Sequence, residues 1–210
     1  MNELAMRWLA GWSAASGHPW TETDGVVRVE ALVESRRIEY LLVEPSPNAL
    51  ADITARIAGD SRDVVTIFTT SPATYLVPHQ GLTIDRDDEA LMTTPLAPEP
   101  AEMPEGYEAH WDDDGSRVNL SIIRGDELAA GGNLAIVGRD AIFDRIETMP
   151  KYQRRGLGSV VMRSLTSWAV QHDADTGILA ASSDGQRLYG HLGWRTECAM
   201  LMLRGAPTAG

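Results

Sequence analysis

The residues best equipped for chemistry are Gln153-Arg154-Arg155-Gly156-Leu157-Gly158, where two guanidinium groups and two glycines interrupt a chain of net charge -12. Lys151 adds a further cation just upstream. If a helix starts at these residues, its first N–H groups lack intrahelical partners and carry the positive end of the helix dipole. Such an end attracts anions, and glycines keep side chains out of the approach. The guest that suits a bend of this kind is a diphosphate. Of two better-known phosphate loops, the spacing excludes the first and weakens the second. A triphosphate loop needs Lys followed by Ser or Thr after its last glycine, where this chain has Ser159-Val160, and the dinucleotide fingerprint needs a third glycine where it has Val161.

The flanking elements must place that bend. Ala141 to Thr148 is rich in β-branched and apolar residues and is closed by Pro150, which reads as a strand. Leu157, Val160, Val161, Ser164, Leu165, Trp168 and Ala169 recur at the three-and-four spacing of one helical face. Further on, Thr176 to Ala181 reads as a buried strand and Ser182 to Leu192 as a helix entered through capping residue types. That helix carries Leu188-Tyr189-Gly190-His191-Leu192-Gly193-Trp194, with Gly193 where a left-handed residue ends a helix.

Gln153, Gly156 and Gly158 fill the acyl-CoA loop pattern of the GNAT family of N-acyltransferases, and Leu188 to Trp194 resembles that family's Leu-Tyr-x-x-Leu-Gly-Phe ending, with Trp in place of Phe. The resemblance covers about half of the chain. It implies an enzyme that moves an acyl group, acetyl first of all, directly from acetyl-CoA as co-substrate to a primary amine of a small molecule or peptide. It further implies that Gln153, Arg154, Arg155, Gly156, Leu157, Gly158 and Ser159 hold the diphosphate, the N–H groups of Arg155 to Ser159 above all. Thr148 and Met149, with Glu147, would hydrogen-bond the pantetheine arm as a neighbouring strand does, and one N–H there could polarise the thioester carbonyl. Ser182 stands where many members carry an Asn that touches CoA. Tyr189 falls at the family's general acid, a phenol aimed at the departing thiolate. Attack also needs a neutral amine, and Glu147 is preferred as the base for its nearness to the loop; Asp144, an odd number of residues away, lies on the other face of a regular strand. Family members often dimerise, so the resemblance allows a homodimer without fixing the oligomeric state.

Composition bounds the rest. With 210 residues, 43% hydrophobic and 23% charged, the chain is ordinary for a globular protein. It has no apolar run of the roughly 18 residues that a membrane span needs and no basic-then-apolar N-terminal signal, so the expected location is the cytoplasm. The acidic balance disfavours nucleic-acid and anionic-membrane partners. A single cysteine, Cys198, and no paired Cys/His spacing give no reason to expect a metal.

The fold class expected is α+β with a mixed sheet: an N-terminal α+β domain over residues 1–94, a Pro-rich linker over 95–106 and the acyltransferase-like domain over 107–205. In the first part Asn2 to Ser16 reads as an amphipathic helix, Val26 to Leu32 and Arg37 to Val43 as a hairpin, Ala49 to Ala58 as a helix and Val64 to Phe68 as a strand, while Thr74 to Val77 fits either a helix or a strand. Leu91 to Thr94 is strand-like and could belong to either side. In the second part four strands from Tyr107 to Thr148 form a meander. Only a tight turn separates Trp111 from Val118, where the family places two helices. The N-terminal residues are expected to cover that side instead, as a degenerate half-copy of the same fold. The missing helices motivate a rival reading, a non-catalytic acyl-CoA binding or sensing protein, and a further one makes the N-terminal half an interaction or dimerisation module.

Overall fold

A computed structural model describes residues 3–206. The N-terminal half runs α1 (Glu3–Ser16), β1 (Trp20–Thr23), β2 (Val26–Val33), β3 (Arg36–Val43), α2 (Pro47–Ile57), β4 (Asp63–Thr69) and β5 (Leu82–Pro95). The C-terminal half runs β6 (Glu108–Asp113), β7 (Arg117–Arg124), β8 (Glu127–Val137), β9 (Asp140–Thr148), α3 (Leu157–Gln171), β10 (Thr176–Ala181), α4 (Ser183–His191) and β11 (Arg195–Gly205). Between them, residues 96–104 carry no regular structure, as their prolines dictate. Two elements escape the sequence pattern: β1, and the first part of β5, whose charged Asp85-Arg86-Asp87-Asp88-Glu89 carries no strand-like alternation but is strand. Thr74 to Val77 forms neither helix nor strand: Thr74 ends a short 3-10 turn over Pro72–Thr74, and Tyr75 to Val77 are turn and bend.

Among the described residues, all eleven strands join one mixed sheet in the order β1-β2-β3-β4-β11-β5-β10-β9-β8-β7-β6. Each half repeats one plan. Three strands, β1 to β3 or β7 to β9, pair antiparallel; a helix, α2 or α3, then crosses over to a parallel fourth strand, β4 or β10. The last strand of each half leaves its own unit. β5 pairs with β10 as well as β11, and β11 pairs with β4 as well as β5, all antiparallel. The halves are thus related by a pseudo-twofold axis between β5 and β11, and each lends the other a strand.

Side chains alternate across the strands, so neighbours divide between two faces. Leu41, Phe68 and Ile142 pack with Ala5, Trp8, Leu9 and Trp12 of α1, whereas Leu42 and Ile67 pack with Leu50, Ile53 and Ile57 of α2, and Phe143 packs with Leu157, Val161 and Leu165 of α3. The first face carries α1, the opposite face α2, α3 and α4. α1 does not sit on its own half: it lies across β8 and β9, held by a two-pronged Arg7–Asp140 ion pair with Nε to Oδ2 at 2.8 Å. Gly11 permits the approach, because a Cβ there would collide with the Ile142 side chain. From the N-terminal half, α1 therefore covers one face of β8 and β9. No helix among the described residues is long and apolar enough to cross a membrane.

Candidate active site

The sheet forks at its C-terminal half. β9 stays paired with β8 as far as Thr148, but it pairs with β10 only as far as Phe143, opposite Leu179; Ala180 and Ala181 continue against β5 alone. Beyond the fork one edge of Asp144 to Thr148 has no strand beside it. A bulge sharpens the turn: Gly131 faces Glu147 and Asn133 faces Asp144, so β9 carries one extra residue, with Arg145 at φ 52. The bulge also overturns the parity expected of a regular strand, because Asp144 and Glu147 now face partners two apart and share a face. Asp144 accepts from Ser16 Oγ at 3.3 Å and lines the cavity described below, whereas Glu147 is exposed and does not line it.

The glycine bend stands beside the fork. After a 3-10 turn over Pro150–Tyr152, Arg154 (φ 60) and Gly156 (φ 79) adopt left-handed conformations, and Gly156 opens α3 with no side-chain cap. Among the described residues no acceptor meets the N–H groups of Arg155 to Ser159. Pro47 and Ser46 show the contrast at the equivalent start of α2: the proline removes one N–H and the Ser46 hydroxyl accepts from Ala49 N at 3.2 Å, so that end is closed. The two glycines do different jobs. Gly156 is required by its positive φ, with open space around it, whereas a Cβ on Gly158 would come 3.1 Å from Leu188 Cδ2, so its absence lets α4 close on α3. Leu157 is buried and anchors the helix start.

The remaining loop residues brace the bend. Gln153 Nε2 donates to the Thr148 carbonyl at 3.2 Å, and Met149 N donates to the Ala129 carbonyl at 2.9 Å, tying the loop to the end of β9. Arg155 donates to Tyr107 Oη and the Lys151 carbonyl, each at 3.2 Å, and lies 5.5 Å over the Tyr152 ring. Lys151 and Tyr152 Oη both donate to Glu127, and Lys151 first, then Tyr152, hold the Glu127 carboxyl below its usual range. Arg154 is exposed.

Tyr189 and Ser182 belong to α4. Ser182 caps it, its hydroxyl accepting from Gly185 N at 3.3 Å. Tyr189 is buried against Trp194, and burial pushes its hydroxyl up to about 12. Both residues line a cavity of about 300 Å³ that passes through the fork, bordered by Phe143 to Ile146 on one strand and Leu179 to Ala181 on the other. Its far side lies under α1, where Trp8, Trp12, Met200 and Met202 supply apolar wall and Arg36, Glu39, Thr66, Arg86 and Glu89 supply polar groups. Glu39 is buried, with Thr66 Oγ1 donating to its Oε1 at 2.6 Å and Arg36 Nη1 2.7 Å from its Oε2. The Arg36 contact is an ion pair without hydrogen-bond alignment, and Oε2 has no hydrogen-bond partner. Burial raises the Glu39 carboxyl above its ordinary value, against the opposing pull of Arg36 and Thr66. These N-terminal residues were not singled out from the sequence. The available signal was parity, since Glu39 shares a strand face with the core residue Leu41.

A mixed sheet that forks beside an uncapped, glycine-started helix defines an acyltransferase fold. The chain belongs to the acetyltransferase (GNAT) family, whose profile matches residues 87–194. Its fold resembles a GCN5-related N-acetyltransferase from Kribbella flavida, at 17% identity and TM-score 0.68, over 98% of this chain and 95% of that one. It also resembles a GCN5-related N-acetyltransferase-like protein from Streptococcus suis, at 10% identity and TM-score 0.62, over 98% and 94%. A tandem GNAT protein from the clavulanic acid biosynthesis pathway aligns over 90% of this chain and 82% of its own at 10% identity and TM-score 0.58, in keeping with the two-part plan of the sheet. Comparison with curated proteins gives no match.

Proposed function

We propose that this protein transfers an acetyl group directly from acetyl-CoA to a primary amine. The observation that carries the reading is the fork: a strand edge without a neighbour, an open helix end on one side of it and a buried phenol on the other. The N–H groups of Arg155 to Ser159 would hold the diphosphate with the help of the helix dipole. The edge at Thr148 and the residues before it would pair with the pantetheine amides as a strand would, and an N–H there would polarise the thioester carbonyl.

Tyr189 keeps its proton throughout the physiological range, since its hydroxyl is pushed up to about 12. A thiol ordinarily titrates near ~8.5, so outright transfer of that proton to a thiolate is roughly 5 kcal/mol uphill. Its role is therefore to hydrogen-bond the sulfur as negative charge develops and to relay a proton that the nitrogen gives up. The residue that accepts the first ammonium proton belongs among the carboxylates lining the cavity, which do not include Glu147. The cavity's extent beyond Tyr189, under α1, supports an acceptor site and so an enzyme over a CoA sensor.

Thermal melting with acetyl-CoA, free CoA and ATP tests this. At a hundredfold excess over Kd the first two should stabilise the protein by about 2.7 kcal/mol, roughly 5–10 °C for a chain of this size, and ATP should not. Equal shifts with all three, or none, would defeat the assignment of the bend.

A further inference from the structure

Among the described residues every lysine and arginine stands in an ion pair except Arg56, Arg124, Arg154 and Arg155. Arg56 lies in the last turn of α2, where the negative end of that helix takes the place of a carboxylate. The other three gather at the glycine bend. Arg154 and Arg155 belong to it, and Arg124, the last residue of β7, reaches it through Tyr107. Arg124 Cζ lies 5.4 Å from the centre of the Tyr107 ring, and Arg155 Nη1 donates to the Tyr107 hydroxyl at 3.2 Å. Acids are not in short supply in a chain of net charge -12, and Glu105, Glu108 and Asp126 lie within two residues of Tyr107 or Arg124. None of these three acids enters an ion pair among the described residues.

We propose that Arg124 and Arg155 bind a phosphate monoester beside the diphosphate seat, with Arg154 adding to the local positive charge. The proposal rests on the acetyl-CoA reading above, in which the monoester is the 3′-phosphate that CoA carries on the same ribose as its diphosphate.

A guanidinium has five N–H donors. Arg155 spends two of its own, on Tyr107 Oη and on the Lys151 carbonyl, and Arg124 spends none on a protein acceptor among the described residues. Both side chains are nonetheless held in place. Arg124 lies over Tyr107 and Arg155 over Tyr152 at 5.5 Å, while the two tyrosine rings meet edge to face at 6.1 Å. Guanidinium groups that are positioned but keep free donors suit a phosphate monoester, which carries a charge of about -1.5 to -2 at neutral pH and accepts paired hydrogen bonds. Lys151 is left out of this seat, because Glu127 already holds it at 2.6 Å. The seat is also separate from the open helix end. The diphosphate falls to the N–H groups of Arg155 to Ser159, whereas Arg124 stands on a different element and takes no part in folding the bend.

The test compares CoA with 3′-dephospho-CoA, which lacks only the monoester, by calorimetry on the full chain. The variants are Arg124→Gln, Arg124→Lys and, as a control for overall charge, Arg56→Gln. The parent should bind CoA at least about tenfold more tightly than 3′-dephospho-CoA, the value of one charge-assisted hydrogen bond. Arg124→Gln should weaken CoA by about tenfold and leave 3′-dephospho-CoA within a factor of about two. Arg124→Lys, which keeps the charge but not the fork of donors, should retain part of the preference. Arg56→Gln should change neither affinity. Arg124 is exposed, so the melting temperature of the unliganded protein should hold in both of its variants. Equal binding of the two ligands by the parent would overturn the monoester seat and spare the acyl-transfer reading. So would an Arg124→Gln variant that loses both ligands alike, since Arg124 would then only support the bend, or an Arg56→Gln variant that loses CoA as Arg124→Gln does. A parent that binds neither ligand would defeat the acyl-transfer reading and the seat with it.

Discussion

At the scale of single residues, Tyr189 is the most exposed part of the assignment to experiment. Its ring packs beside Trp194 and the residue lines the cavity, so Tyr189→Phe removes one oxygen with little change in packing. Turnover should fall by about tenfold or more, while acetyl-CoA affinity measured by calorimetry stays within a factor of about two. Equal losses in both would make the residue a structural support. Tyr189 and Gly156 were legible from the sequence because each sits in a local pattern: a helix ending, and a strand-to-helix joint that demands a left-handed residue. Asp144 and Glu39 were not. The bulge at Arg145 changes which strand residues share a face, and nothing in a linear string announces an extra residue in one strand of a pair. Glu39 reaches the cleft only because a separate half of the chain folds against it.

Elements decide how that cleft is walled. α1 is set by its own amphipathic spacing, which the sequence showed plainly, but its seat on β8 and β9 depends on Gly11 standing against Ile142. Gly11→Ala should force the helix off the strand by more than a side chain can absorb, costing about 1–3 kcal/mol in urea unfolding. Since Trp8 and Trp12 ride on the same helix, amine-dependent turnover should fall further than the loss of stability alone explains. Unchanged urea midpoint and kinetics would mean that α1 does not bear on the cleft. β5 was half hidden for a different reason: Asp85 to Glu89 is charged, and its residues pair with β11 at backbone level while their side chains point to water or to Arg partners. Its apolar end, Leu91 to Thr94, was visible, yet its place between β10 and β11 is a fact of tertiary structure.

For the whole molecule, the exchanged strands join the two halves more closely than the Pro-rich stretch between them suggests. Removing residues 1–106 would strip β10 of its β5 neighbour and β11 of both of its partners. The fragment 107–205 should therefore show no cooperative thermal transition by circular dichroism, whereas the full chain should melt once, with all probes coincident. A fragment that melts cooperatively and binds acetyl-CoA would show that the strand exchange is dispensable. Order of synthesis gives the same exchange a second meaning. β11, Arg195–Gly205, leaves the ribosome after every other strand described, yet it fills the middle of the sheet. At about 5–20 residues per second, translation leaves the edges of β4 and β5 bare for several seconds after they emerge. Unfilled sticky edges recruit other nascent chains, so a stop codon just before Arg195 would be expected to yield inclusion bodies rather than a slightly weakened enzyme.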